Sequence, residues 1–331
     1  MYEAFYGLSA KPFRLRPDPQ FFFGSKGHKR AMAYLEYGLS QGEGFIVITG
    51  EVGAGKTTLV RHLFNMHARD QIVAAHIVNT NLDTDDILRT VASSFGLPAE
   101  DASKAVLLSR LENFFHACDQ QGKRVLLVVD EAQNLNPRTV EELRMLSNFQ
   151  TEDKSLLQTF LLGQPEFRTT MNSPGMQQLR QRVIATYHLG PMDHPETQAY
   201  IQHRLHTVGW NGDPSISNTA YDLIYEFTGG IPRKINTLCD RLFLMGYLEE
   251  LHAFTDAEVN EVIKDIQQET IVPASAVVEP TAEDRDAFLT ANSNYLGYLD
   301  ERMVKLEKCT VSILAMLKKI VVTPPNSSVG Q

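Results

Sequence analysis

Between residues 45 and 189 the apolar positions follow two alternating patterns. Unbroken runs rich in aliphatic and β-branched residues occupy 45–49, 72–78, 124–130, 157–163 and 183–189. The stretches between them space their apolar residues by threes and fours, opening at 58–64 and continuing over 83–95, 104–120 and 141–149. A run apolar at every position has both faces covered, so this alternation predicts a three-layer α/β domain with a five-stranded parallel sheet. After Gly190-Pro191 the runs stop. Helical spacing alone fills 194–208, 217–227, 232–249 and 255–269, with Asp213, Ser215, Gly229-Gly230 and Asp256 as punctuation, which predicts a small all-helical domain.

The two ends are read separately. Residues 1–43 form an arm in which Pro12-Phe13 and Pro17-Asp18-Pro19 precede Phe21-Phe22-Phe23 and a helical stretch over 26–40. The prolines exclude a long early helix, so the aromatic cluster is expected in a turn that packs on the main body, either lidding a bound base or sealing a core edge. The expected divisions are thus an arm at 1–43, an α/β domain at 44–190, a helical domain at 191–269 and a linker at 270–284 containing Pro273 and Pro280. Over 285–322, Leu289, Leu296, Leu299, Met303, Leu306, Ile313, Leu317 and Ile320 recur at alternating spacings of three and four, with Asn292 and Thr310 as polar interruptions. That seam reads as a coiled-coil helix for self-association or a partner helix, or as an amphipathic helix folded back on the body. A flexible tail is expected at 323–331.

Charge narrows the function classes. The chain has 31 basic and 40 acidic residues, a net charge of −9, which argues against a protein whose main task is coating nucleic acid. The basic run Ser25-Lys-Gly-His-Lys-Arg30 is either a solvated helix start or a phosphate or nucleic-acid contact. Cys118, Cys239 and Cys309 lie far apart in sequence, so neither a disulfide framework nor a metal knuckle is indicated. Residues 1–8 carry an acid where a signal peptide carries bases, and 311–317 are too short to span a bilayer. A cytoplasmic protein is expected, or one held peripherally at the inner membrane by partners, with no direct span.

The chemistry centres on Gly50-Glu51-Val52-Gly53-Ala54-Gly55-Lys56-Thr57-Thr58, which fits G-x-x-x-x-G-K-[ST] between a strand and a helix. Such a loop curls its N–H groups around polyphosphate at a helix N-terminus. The strand ending in Asp130-Glu131 supplies a carboxylate to hold Mg²⁺ together with Thr57, and a second carboxylate to polarise a water. Lys56 would neutralise phosphate charge. Gln164, after the fourth strand, is either a sensor of the attacked phosphate or a helix cap. Arg180 and Arg182 precede the last strand, and either one could enter a neighbouring subunit's site or stay in surface salt bridges, Arg182 being the better placed. Arg233, beginning a helix of the second domain, could bridge the domains through the terminal phosphate. Asn79 either restrains Glu131 or caps its strand.

These positions together resemble the AAA+ ATPases, and within them the general-secretion-pathway protein A type. The resemblance is carried by Lys11-Pro-Phe13, Pro17-Asp-Pro19, the phosphate loop, Asp130-Glu-Ala-Gln133, Leu162-Gly-Gln-Pro-Glu166, Leu179-Arg-Gln-Arg182 and Gly230-Ile-Pro-Arg233. The phrases FFGSKGHKRAM at 22–32 and RMLSNFQ at 144–150 look closest to the exosortase (PEP-CTERM) locus-associated branch. The resemblance implies ATP and Mg²⁺ as ligands, the strand order 5-1-4-3-2, a homo-oligomer with an inter-subunit arginine, a helical lid, and a protein partner in envelope export of exopolysaccharide or surface proteins. Transposition ATPases resembling Mu B share the Asp-Glu-Ala-Gln phrase, which keeps DNA-dependent assembly as the alternative.

Overall fold

Five parallel strands organise the computed structural model, which describes residues 1–66, 71–78 and 84–270: β1 (Phe45–Gly50), β2 (Ile72–Ile77), β3 (Arg124–Val129), β4 (Leu157–Gly163) and β5 (Val183–Leu189). Their order is β2-β3-β4-β1-β5, the expected order read from the other edge. Every pairing is parallel; Ile46 sits opposite Phe160 in β4, and Val128 in β3 opposite the same residue on its other side. Between and beyond the strands lie α1 (Tyr2–Phe5), α2 (Lys26–Gln41), α3 (Lys56–Met66), α4 (Thr84–Ser94), α5 (Lys104–Gln120), α6 (Pro137–Leu146), α7 (Glu166–Met171) and α8 (Gln177–Arg180). The helical region that follows contains α9 (His194–Thr207), α10 (Asn218–Thr228), α11 (Pro232–Leu248) and α12 (Asp256–Thr270).

Alternate strand residues serve two cores, as the period of two along a strand requires. Phe45, Val47, Leu127, Val129 and Leu161 face α4, α5 and α6 through Ile87, Leu88, Leu111, Phe115 and Leu143. Ile46, Ile48, Leu126, Val128 and Phe160 face α2 and α3 through Ala31, Leu35, Leu59 and Leu63. Helix starts are set by local chemistry: Ser25, Ser103, Asn136 and Ser217 each accept a hydrogen bond from a first-turn amide, and Asp193 with Glu196 forms a full capping box on α9.

The arm divides between two cores. Tyr2, Tyr6, Leu8, Phe13 and Phe21 are buried in the same core as Ile201, Leu205, Ile224, Leu238, Phe243 and Phe254 of the helical region, while Phe22 and α2 pack on the sheet side. One expectation is corrected, that the second domain is all helical. The helical region also contains a parallel strand pair, β6 (Ser215–Ile216) with β7 (Ala253–Phe254), which joins the α9–α10 connection to the α11–α12 connection. Two residues are too few to show a periodicity.

The chain divides into one compact unit, Met1–Ile266, and a second, Gln267–Gln331, of which only the end of α12 is described. Asn79, the seam helix expected over 285–322 and the tail at 323–331 lie outside the described residues, as does the linker beyond Thr270. No helix among the described residues is long and apolar enough to cross a membrane.

Candidate functional site

The phosphate-loop motif forms the turn between β1 and α3. Gly53 and Gly55 adopt φ of 84° and 98°, the left-handed region that favours glycine. A Cβ on Gly53 would come within 2.3 Å of Arg233 Cβ, and one on Gly55 within 2.8 Å of His28 Nε2, so neighbours as well as backbone demand glycine. Lys56 is buried, and its Nζ donates to the carbonyls of Gly50 at 2.7 Å and Glu51 at 3.1 Å. Burial depresses its pKa, against the opposing pull of Glu131, Asp130 and Glu51.

β3, separated from β1 by β4, brings the acidic pair to the same end of the sheet. Asp130, buried just beyond β3, accepts a hydrogen bond at 2.6 Å from Thr57 Oγ1 and one at 3.0 Å from the Glu131 amide. His76 Nε2 stands 3.6 Å from the same carboxylate oxygen that Thr57 reaches. Burial alone would raise the Asp130 pKa, but His76, Thr57 and the Glu131 amide outweigh it and hold the carboxyl below its ordinary range. A hydroxyl and an ionised carboxylate in contact are the hard oxygen donors that suit Mg²⁺.

Glu131 adopts φ 52°, a strained setting for a residue with a Cβ. Its Oε2 accepts from Gln133 Nε2 at 2.6 Å and from Gln164 Nε2 at 3.1 Å. The Gln164 amide closes the ring by donating to Gln133 Oε1 at 3.0 Å. Two glutamines, one after each of two adjacent strands, therefore orient one carboxylate. Gln133 appeared in the sequence only inside the Asp-Glu-Ala-Gln phrase, and nothing in its spacing marked it as a partner of Gln164.

The cleft above the loop is walled by the arm and the helical region: Arg14, Arg16, Asp18 and Phe22 on one side, Arg204, Arg233 and Asn236 on the other. Phe22 stacks on His62 of α3 with ring centroids 3.9 Å apart, and Arg61 donates to the Pro17 carbonyl at 3.2 Å. Arg233 begins α11, its amide donating to Gly53 O at 3.2 Å, which seats its exposed side chain beside the loop. Arg204, absent from the sequence expectations, is buried; its guanidinium donates to Pro12 O at 2.6 Å, Tyr200 Oη at 2.7 Å and Arg14 O at 3.3 Å, and it lies over the Phe21 ring. An arginine at a helical position carries no sign of such burial until the arm is in place.

The structure thus gathers Gly50, Glu51, Val52, Gly53, Ala54, Gly55, Lys56, Thr57 and Thr58 with Asp130, Glu131, Gln164 and Arg233. Arg182 is elsewhere. Its guanidinium donates to Ser147 O at 3.0 Å, to Ser147 Oγ at 2.9 Å and to Asn148 Oδ1, and Arg180 donates to the carbonyls of Met171 and Ser173. Neither lines the cleft of its own chain.

Residues 39–171 match the family described as AAA domain. Over 261 residues, 78% of this chain, the sequence is 38% identical to the general secretion pathway protein A of Aeromonas hydrophila, of whose length the chain spans 47%. Among solved structures it is similar to the Aeropyrum pernix ORC1 protein in complex with DNA (TM-score 0.59, 14% identity, 79% of this chain and 70% of that one). The Thermotoga maritima RuvB Holliday junction branch migration motor is similar as well (TM-score 0.51, 18% identity, 74% and 70%). At those identities the structural likeness concerns the fold.

Proposed function

Starting from a chain that carries an AAA domain on the P-loop fold and is related to a general secretion pathway protein A, we propose an ATP hydrolase that works the assembly or gating of an envelope export system. The observation that supports it most is the meeting of three parts at one end of the sheet: the glycine loop, the Thr57–Asp130 contact, and Glu131 held by two amide side chains.

In this reading the amides of Gly50 to Thr58 enclose the phosphates, and Lys56 exchanges its two carbonyl partners for phosphate oxygens of full charge. Thr57 and Asp130 hold Mg²⁺, which when bound neutralises charge on the phosphate oxygens. Glu131 accepts the proton of a water that attacks the terminal phosphorus, the bond to the leaving ADP oxygen breaks, and inorganic phosphate departs. Gln164 orients Glu131 and the water. Arg233 reports the presence of the terminal phosphate to α11 and so to the helical region. Arg182 serves a neighbouring subunit after exchanging its Ser147 and Asn148 contacts for phosphate, which makes the active form a homo-oligomer. The client in this reading is an export-system protein, and the likeness of the phrases at 22–32 and 144–150 to the exosortase-associated branch supports exopolysaccharide or exosortase-linked export.

A DNA-dependent switch is the second reading, favoured by the phrase shared with transposition ATPases and disfavoured by the acidic balance. ATP turnover measured with and without duplex DNA over a salt series separates the two. Turnover indifferent to DNA is expected; stimulation that fades steeply with salt would move the assignment to the DNA reading.

A further inference from the structure

We propose that His28 is a positioning residue of the phosphate loop, setting nucleotide affinity from outside the motif. The basic run at 25–30 does not act as one patch. Lys26, Lys29 and Arg30 are exposed, whereas His28 is 6% exposed and stands against the loop. Both ring nitrogens are engaged. Nε2 lies 3.1 Å from the Ala54 carbonyl, which can only accept, so Nε2 carries the hydrogen. Nδ1 is therefore the acceptor and receives the Ser25 hydroxyl at 2.7 Å. That hydroxyl oxygen in turn accepts the His28 amide at 3.2 Å as the cap of α2. The closed set of bonds fixes both the tautomer and the plane of the ring.

The ring also occupies the space a side chain at Gly55 would need, 2.8 Å from the Cβ position, and Phe22 meets it edge-on with centroids 5.9 Å apart. Ala54 and Gly55 cannot shift toward the arm without displacing it. Burial lowers the His28 pKa and keeps the imidazole neutral, as its accepting nitrogen requires. The same helix start holds the helical region: the Lys26 amide donates to Glu196 Oε1 at 2.6 Å, and Lys26 Nζ pairs with Asp193 at 3.0 Å. One turn of α2 thus joins the phosphate loop to the capping box of α9. Because His28 touches the loop and stands behind it, its effect falls on binding ahead of hydrolysis.

This inference rests on the nucleotide-binding reading, and the test keeps the two apart. Titration with a fluorescent ADP and steady-state ATP turnover are measured on the full chain, with His28→Ala, His28→Gln, Ser25→Ala and Lys56→Ala. His28→Ala is expected to raise the ADP Kd and the ATP KM about tenfold, the factor that one or two ordinary hydrogen bonds carry, with kcat within about twofold. His28→Gln, which restores an N–H toward Ala54 O, recovers most of that loss, and Ser25→Ala, which frees the ring to turn, raises KM about threefold. His28→Ala with unchanged Kd and KM overturns the inference, as does a loss in kcat alone or a His28→Gln as weak as His28→Ala. Should His28→Ala not fold, the Gln and Ser25 variants decide by the same readings. If the wild type binds ADP no better than Lys56→Ala, the nucleotide reading itself fails.

Discussion

The two sides of the cleft are assembled over different distances. Around the sheet the core is made by strands and the helices that cover them, with Ile46, Ile48, Leu59, Leu63, Leu126, Val128 and Phe160 on one face. In the helical region the core is completed from far away in sequence, since Tyr2, Tyr6, Phe13 and Phe21 of the arm are buried with Leu238, Phe243 and Phe254. The polar chemistry follows the same division. The groups proposed to face phosphate or water, Lys56, Asp130, Glu131 and Gln164, stand on the loop and strand ends of the sheet. The helical side contributes Arg204 and Arg233, one buried on the arm's carbonyls and one beside the loop. In the proposed reading the sheet side carries the reaction and the helical side its consequence, with the arm built into the helical core.

The largest effect expected from this contrast is on stability. Phe13, 1% exposed, belongs to the arm in sequence but to the helical core in space. Phe13→Ala should cost about 3–5 kcal/mol in denaturant unfolding, and the fluorescence of Trp210 in the helical region should report the loss first. A loss below about 1 kcal/mol would show that the arm only rests on the surface.

A smaller effect is expected from pH, and its sign follows from burial. His28, His62 and His203 all have pKa values lowered by burial, so the unfolded chain binds protons below its ordinary histidine value of 6.5 that the folded chain refuses. Their contribution is whole above pH 6.5 and lost as pH falls through the lower folded values. Melting temperature should decline between about pH 7 and pH 5, and less steeply in His28→Gln. A flat profile, or the same slope in the variant, would deny His28 its buried neutral state.

Much of the sheet side was legible in the sequence because its determinants are local. Five apolar runs gave five strands, Gly53 and Gly55 marked a loop whose φ values require them, and Asp130-Glu131 sat at a strand end where a parallel sheet exposes its chemistry. The connections were hidden. Phe13 and Phe21 showed that aromatics would pack, but not on which surface. His28 looked like one cation among four, since a histidine's tautomer and burial depend on Ala54 and Ser25 being brought together. Arg204 lay within a helical pattern that any solvated arginine would fit, and Gln133 gains meaning only once β3 and β4 end side by side.

In the proposed reading Glu131 performs the proton transfer in a cleft that binds ATP without it. Glu131→Gln keeps the size of the side chain and removes its basicity. Binding of labelled ATP and its turnover, measured together on the full chain with Mg²⁺, test the claim most directly. The account predicts affinity within about threefold of wild type and turnover lower by about 100-fold or more. Turnover close to wild type in Glu131→Gln, with ATP bound, would contradict it.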